Sequence, residues 1–226
     1  MVDMVSMDTS AQIRDAAMRL FARDGFDGTP LQAIADDVGI TKQTLLYYYP
    51  SKEELRRAVL GQLIEHWRQT LPRLLEAVTS GKGKFEALTG ELVRFYQADP
   101  ARARLILREM LDRPDDMRAL LIEGLRPWLL LVAEYIRQGQ ESGILYEDVD
   151  PESYVMHVIL LVAGTVANLQ VLPRVLSEGG GRDASTAEKR YLDELFRIAR
   201  YSLFKPRKKN DARSASSAPI EGENRR

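Results

Sequence analysis

The first 55 residues carry helix start and stop signals so densely that only short, mutually supporting helices fit. Four hydroxyl residues are placed to cap helix N-termini, because a side-chain oxygen can accept a free amide of the first turn. They are Thr9, Thr29, Thr41 and Ser51. Three residues that favour helix ends follow the first three helices, and these are Gly25, Gly39 and Pro50. Apolar residues recur at helical spacing between these signals, which predicts four helices with a very small core.

Beyond Pro72 the break signals thin out and longer helical patterns dominate. A long helix is predicted from about Lys52 to Leu71. The helices predicted after it are Lys84–Ala98, Ala101–Leu111, Asp115–Glu141, Glu152–Leu172 and Thr186–Phe204. No stretch alternates apolar and polar residues as a half-buried strand does, so the predicted fold class is all-α. Residues 205–226 are polar, rich in Ser and Ala and without periodicity, which predicts a disordered tail.

The composition and the motifs of the chain disfavour metal sites and enzyme active sites. The chain has no cysteine and two histidines, which disfavours metal sites, and it lacks a glycine-rich phosphate loop or a nucleophile elbow. We therefore expect no enzyme activity, no cofactor and no metal. Tyr154–Leu172 is almost long enough to span a bilayer, but it contains His157 and Asn168, so a buried helix is the better interpretation. The N-terminus has no secretory signal pattern, and we expect a cytoplasmic protein without a membrane partner.

Residues 29–49 have the pattern of a helix-turn-helix, which places its second helix in the major groove of DNA. Leu45 and Tyr49, one helical turn apart, are predicted to pack inward. The residues then left outward are Lys42, Gln43, Thr44, Tyr47 and Tyr48. An amide can pair with adenine and an ammonium with guanine, whereas hydroxyl groups and helix N-termini suit phosphate. Thr29, Thr41 and Lys52 are the further predicted DNA contacts.

The stretch GFDGTPLQAIADDVGITKQTLLYYYPSKEEL (residues 25–55) resembles the DNA-binding domain of the TetR family of bacterial transcriptional regulators. It departs from the family pattern at Leu46, where a phosphate-contacting tyrosine is common, and at Pro30, where a second hydroxyl is common. The resemblance implies a DNA-binding domain at 8–55 and a helical ligand-binding and dimerisation domain at 56–204. It further implies a homodimeric repressor that binds double-stranded DNA at a palindromic operator and is released by a small, largely apolar effector.

The larger domain is expected to hold the effector and the dimer surface. The candidate effector residues are His66, Trp67, Phe95, Arg108, Trp128 and Tyr135. The candidate dimer residues, on the last two long helices, are Val162, Ala163, Val166, Ala167, Tyr191, Leu195 and Ile198. Arg104, Arg108 and Glu109 are read as an exposed charge cluster, and the apolar stripe from Trp128 to Ile136 is read as core or as cavity wall. Three alternatives stay open: a transcriptional activator, a regulator controlled by a protein partner, and a protein-interaction module without DNA binding.

Overall fold

The computed structural model describes residues 2–77, 81–177 and 184–206, with side chains from residue 9 onward except those of residues 177, 184 and 185. These residues form eleven helices and no strand, which confirms the all-α prediction. The helices are α1 (Val2–Gly28), α2 (Leu31–Val38), α3 (Lys42–Tyr48), α4 (Lys52–Ala77), α5 (Gly81–Ala98), α6 (Pro100–Asp112), α7 (Pro114–Gly124), α8 (Arg126–Glu141), α9 (Pro151–Ala167), α10 (Leu172–Ser177) and α11 (Ala184–Tyr201).

The helix α1 starts earlier than its capping signal predicts. It begins at Val2, and the predicted start at Thr9 is wrong because residues 2–8 contain neither glycine nor proline to interrupt it. At the other end Gly25 has a φ of +80°, which interrupts the helix where the sequence predicts a stop. The chain then makes one further turn to Gly28 before α2.

The first four helices share a core that continues into the rest of the molecule. Ile13, Phe21, Ile34, Leu45 and Leu55 are fully buried. They belong to one apolar cluster that also includes side chains of α5, α6, α9 and α11. The N-terminal segment predicted to bind DNA is therefore packed directly on the larger helical region, with α1 lying against both α4 and α6.

Three predicted helix boundaries are wrong. The helix α4 continues through Pro72 to Ala77, because the buried Leu71 and Leu75 offset the hydrogen bond that the proline removes. The predicted helix over residues 115–141 is two helices, since Pro127 lies in the first turn of α8, where it is tolerated.

The predicted helix over residues 152–172 ends at Ala167 and is followed by a turn and then α10. Among the described residues, no helix has the length and apolar character needed to cross a bilayer. Lys205 is also more ordered than predicted: its amide donates to the carbonyl of Ile144 and its ammonium pairs with Glu147 at 2.9 Å. The rest of the predicted disordered tail after Pro206, residues 207–226, lies outside the described residues.

A buried ion pair joins the start of α4 to α6. Nε of the Arg56 guanidinium donates to Oε2 of Glu109 at 2.7 Å, Nη2 lies 2.7 Å from the same oxygen, and both side chains are only 4% exposed. Nη1 of Arg56 lies 3.1 Å from Asp116 and 3.4 Å from Glu53. Burial alone would lower the pKa of Arg56, but the hydrogen bond to Glu109 and the surrounding carboxylates raise it above its usual value. The prediction that Glu109 belongs to an exposed charge cluster is wrong.

Candidate nucleic-acid interface and ligand cavity

The turn between α2 and α3 is built from local signals. Gly39 has a φ of +76° and its amide donates back to the α2 carbonyls of Ala35 and Asp36, which ends that helix. Two residues later Thr41 caps α3, since its Oγ1 accepts the amide of Thr44 at 3.0 Å. The glycine and the threonine together fix the angle between α2 and α3.

The helix α3 is fixed from its inner side. Leu45 is fully buried and Tyr49 is 8% exposed, as predicted. The Tyr49 hydroxyl reaches α1, where it lies 2.8 Å from Oγ of Ser10 and accepts a hydrogen bond from Arg14 at 2.8 Å. These contacts anchor the C-terminal end of α3 on α1, so its outer face has a defined orientation.

The outer face of α3 presents hydrogen-bonding groups to solvent. Lys42, Gln43 and Thr44 are exposed, and Tyr47 is 82% exposed, which is unusual for so large an aromatic side chain. Tyr48 is half-buried and lies edge-on to Tyr47, with 5.4 Å between ring centroids. This face combines an amide, an ammonium and hydroxyl groups within two turns of helix. Those groups can read base edges and hold phosphates.

Two of the predicted DNA contacts have other roles in the structure. Thr29 is 1% exposed and its hydroxyl donates to the carbonyl of Gly25 at 2.7 Å, so the predicted cap and phosphate contact at Thr29 are wrong. Its hydroxyl is used to join α2 to the end of α1. Lys52 is half-buried with its ammonium 4.4 Å from the centroid of the Phe26 ring, and burial lowers its pKa. It remains within reach of solvent at the start of α4.

Two acidic residues near the turn, Asp36 and Asp37, each have a polar partner. Asp37 at the end of α2 pairs with Arg19 of α1 at 2.6 Å. Asp36 accepts a hydrogen bond from Gln32, one turn earlier on α2, at 2.7 Å. Both carboxylates belong to α2, and α3 itself contains no acidic residue, so the exposed face of α3 carries no negative side chain.

A cavity of about 1610 Å³ occupies the larger domain. Its wall contains residues of α4 to α9, the segment after α8, and the end of α11. Three of the predicted effector residues line it, namely Trp67, Trp128 and Tyr135. The apolar stripe of α8 is therefore cavity wall at most of its positions. The volume of the cavity exceeds the roughly 300–1,000 Å³ of typical ligand sites, so the cavity has room for a large ligand.

The other three predicted effector residues lie outside this wall. Phe95 is 4% exposed and packs in the core, with the His66 ring stacked on it at 4.4 Å. Nε2 of His66 is buried without a hydrogen-bond partner, 3.8 Å from Glu91, and burial lowers the pKa of His66. Arg108 points the other way, toward α1, where its guanidinium donates to the Arg23 carbonyl at 3.4 Å. The sequence predicts helices that do line the cavity, but it does not predict the direction in which these three side chains point.

Four of the predicted dimer residues are covered by the chain itself. Val162, Ala163, Val166 and Leu195 are at most 3% exposed and belong to the core, so a second copy cannot reach them. Ala167 and Tyr191 are half-buried, and Ile198 is 46% exposed. An exposed apolar surface is present on α9, the turn after it, α10 and α11, and of its residues the sequence predicts Ile198 and misses the others. It consists of Leu161, Val171, Leu172, Val175, Leu176, Ile198 and Tyr201.

Comparisons with known proteins match both parts of this architecture. Residues 13–59 match the family described as bacterial regulatory proteins, tetR family. Residues 83–192 match the tetracyclin repressor-like C-terminal domain. The HTH-type transcriptional regulator RutR of Escherichia coli is 32% identical over 160 residues, which cover 66% of this chain and 68% of RutR.

The chain belongs to the TetR family. It is thus a DNA-binding transcriptional regulator and not an enzyme. A second relative, the HTH-type transcriptional repressor SCO4008 of Streptomyces coelicolor, is 27% identical over 178 residues, covering 79% of this TetR-family chain and 87% of the repressor.

The fold likeness extends over most of the chain. A putative transcriptional regulator from Saccharomonospora viridis, crystallised in complex with choline, superposes with a TM-score of 0.62. The match covers 88% of this chain and all of the other, at 18% identity, so it bears on the fold alone. In this TetR-family protein the matched N-terminal family model, residues 13–59, covers most of α1, all of α2 and α3, and the first two turns of α4.

Proposed function

We propose that this protein is a dimeric repressor that binds a palindromic operator and is released from it by a small effector held in the cavity. In this proposal, residues 8–55 form the DNA-binding domain, and residues 56–204 form the effector-binding and dimerisation domain. The observation that carries the proposal is the solvent-exposed face of α3, with Tyr47 82% exposed beside the exposed Gln43. A phenol and an amide that are exposed one turn apart on the same helix face suit contacts with phosphates and base edges.

The proposed contacts divide into those that specify sequence and those that set position. Gln43 pairs with adenine and Lys42 with guanine, while the methyl group of Thr44 meets a thymine methyl. Tyr47, Tyr48 and the capped start of α3 at Thr41 hold phosphates, with Lys52 as a further cation at the start of α4. Thr29 is left out because its hydroxyl is committed to α1.

The proposed dimer uses the exposed apolar surface of α9, α10 and α11, rather than the buried residues that the sequence suggests. Ile198 and Tyr201, 46% and 61% exposed, lie within one turn of each other on α11. Leu161 on α9 is 38% exposed and Val175 on α10 is 62% exposed. A single helix-turn-helix covers few base pairs, and two copies related by a two-fold axis read two half-sites.

The effector acts by shifting a conformational equilibrium. A ligand that binds more tightly to a conformer with mismatched half-site spacing lowers operator affinity, and it can do so only by its difference in affinity for the two states. The cavity supports this role, because its wall includes residues of α4, α6 and α7. The same helices hold the buried Arg56–Glu109 pair next to the DNA-binding segment.

The decisive experiment is selection of bound duplexes from a random library at moderate salt, followed by sequencing. A two-fold symmetric motif is expected. Gln43→Ala is then expected to relax the preference at one position of each half-site, at a cost of roughly 1–3 kcal/mol, whereas Tyr47→Phe weakens binding to all sequences alike. Gln97→Ala, an exposed glutamine on α5, is the matched control.

Oligomeric state is tested separately by sedimentation. Ile198→Glu is expected to produce monomers with weaker operator binding, since it introduces a charge into the proposed apolar interface. Leu111→Glu introduces the same charge at a side chain that is 81% exposed on α6, and it should leave the dimer intact. No motif enrichment from folded protein refutes the DNA-binding proposal, and a monomeric wild type refutes the dimer.

A further inference from the structure

The charged residues on the cavity wall all have the same sign. They are Lys82, Lys84, Arg200 and Lys205, and no aspartate or glutamate lies among the lining residues that the structure describes. The chain as a whole has 33 acidic residues against 32 basic ones, so its composition does not explain this selection. The rest of the wall is apolar, aromatic or uncharged polar.

These four cations lie at one end of the cavity. Lys82 and Lys84 are in the first turn of α5, Arg200 is in the last turn of α11, and Lys205 follows α11. The two segments meet, because the rings of Phe85 and Phe204 have centroids 5.4 Å apart. The wall formed by α4, α6 and α7 contains no charged residue at all within the described chain. The cavity is thus apolar at one end and cationic at the other.

Two of the four cations lack a carboxylate partner. Lys82 pairs weakly with Glu86 at 3.7 Å, and Lys205 pairs with Glu147 at 2.9 Å. By contrast, neither Lys84 nor Arg200 has a carboxylate of the described residues within ion-pair distance, and the Lys84 ammonium lies 3.7 Å from the centroid of the Tyr135 ring. These two groups are available to a bound anion.

The start of α5 adds a further positive potential. A helix N-terminus carries a partial positive charge, so lysines in the first turn lower helix stability and acidic residues raise it. The first turn of α5 has two lysines and no acidic residue. This arrangement is unfavourable in the empty cavity and becomes favourable when an anion lies beside it.

We propose that the cavity binds an anionic amphiphile, with its apolar body against α4, α6 and α7 and its carboxylate or phosphate head held by Lys84 and Arg200. The ligand class does not depend on the proposed function, whereas the release of DNA by that ligand rests on it. Hydrogen bonds from charged donors to an anionic head select it over a neutral group of the same shape.

The test uses the two tryptophans of the chain as the reporter, because Trp67 and Trp128 both line the cavity. Fluorescence of the full-length protein is titrated with dodecanoate, dodecyl phosphate, dodecan-1-ol and dodecyltrimethylammonium below their aggregation concentrations. At least one of the two anions is expected to bind about tenfold or more tightly than the alcohol, and the cation weakest. The two anionic probes distinguish a carboxylate head from a phosphate head.

Variants locate the head group. Lys84→Gln and Arg200→Gln are each expected to weaken the preferred anion by about tenfold and to leave the affinity for dodecan-1-ol within about twofold. Arg68→Gln removes a cation from an exposed ion pair on α4, outside the cavity wall, and should change neither affinity. Far-ultraviolet circular dichroism of each variant checks that it is folded.

The outcomes separate the ligand class from the regulatory role. If the alcohol binds as tightly as both anions, if both variants weaken all probes equally, or if no probe binds, the inference is overturned. Operator binding is measured in the same samples. Binding that depends on the charge of the probe but leaves the protein on its operator supports the ligand class and contradicts the proposed release mechanism. Binding that does not depend on charge but releases the operator supports the release mechanism and contradicts the ligand class.

Discussion

Removing the Glu109 carboxylate should destabilise the protein more than any change at a surface ion pair. Glu109 and Arg56 are each 4% exposed and joined by two contacts of 2.7 Å, from Nε and Nη2 of Arg56 to Oε2 of Glu109. In Glu109→Ala the guanidinium stays buried with only Asp116 and Glu53 beside it. Those two carboxylates are 60% and 46% exposed, so solvent screens their charge.

The expected loss follows from these contacts. Breaking a buried pair by deleting one partner costs about 3–5 kcal/mol, because the other charge is left without compensation. The two remaining carboxylates reduce this, and we expect Glu109→Ala to lower the free energy of unfolding by about 3 kcal/mol. Replacing both partners, in Arg56→Met with Glu109→Leu, should cost much less than the sum of the single changes, because no buried charge remains.

The assay is urea unfolding followed by circular dichroism at pH 7, with every variant at the same protein concentration because association shifts apparent stability. Arg68→Ala breaks an exposed pair with Glu65 and is the control, with an expected change below about 0.5 kcal/mol. The reasoning is refuted if Glu109→Ala costs no more than this control, or if the double variant loses the full sum of the two single losses.

Two further predictions concern backbone strain and pH. Gly25→Ala should lower the thermal midpoint by several degrees, because a φ of +80° with a ψ of 165° is essentially restricted to glycine and costs other residues about 1–3 kcal/mol. The added methyl group would also lie 2.7 Å from Nη1 of Arg108. For His66 the folded-state pKa lies below its usual value of 6.5 because of burial, with Glu91 opposing the shift. The unfolded state therefore takes up the proton first, so the thermal midpoint should be highest above pH 6.5 and fall as the pH drops below it.

Both predictions have matched controls in the same chain. Gly61→Ala lies inside α4 with open space around the added methyl group, and it should raise stability by about 0.5–1 kcal/mol. His66→Phe should flatten the decline between pH 7.5 and 5.5, whereas His157→Gln, at an exposed histidine, should preserve it. A Gly25→Ala variant as stable as wild type, or an undiminished slope in His66→Phe, would contradict the respective argument.

The parts of the site that sequence reasoning predicts well depend on neighbours along the chain. Gly39 and Thr41 act on residues within one turn of themselves, so the position of α3 and its exposed side chains can be read directly. Thr29 shows the limit of this reasoning. Its residue type fits a helix cap, but the nearby carbonyl of Gly25 takes its hydroxyl instead.

What the sequence cannot show is which partner buries a residue. Val162 and Leu195 are apolar enough for a dimer interface or a core, and only the packing of α9 and α11 on the other helices decides between them. Arg56 and Glu109 are 53 positions apart, and no local pattern links them. Part of a signal for the cationic end of the cavity did exist, since Lys84 at the start of the predicted helix runs against the helix dipole, but only the structure starts α5 at Gly81 and adds Lys82 to its first turn.

A cavity of about 1610 Å³ also has a consequence for how long the protein survives in a cell. Apolar walls that face empty space lack the contacts that a filled core provides, so the unliganded chain opens more often. A ligand at a hundred times its dissociation constant adds about 2.7 kcal/mol to the stability of the folded state. Proteases that cleave opened chains would remove the empty form first. The abundance of the protein should then rise with the concentration of any compound that fills the cavity, so the effector proposed above would also prolong the life of the regulator that binds it.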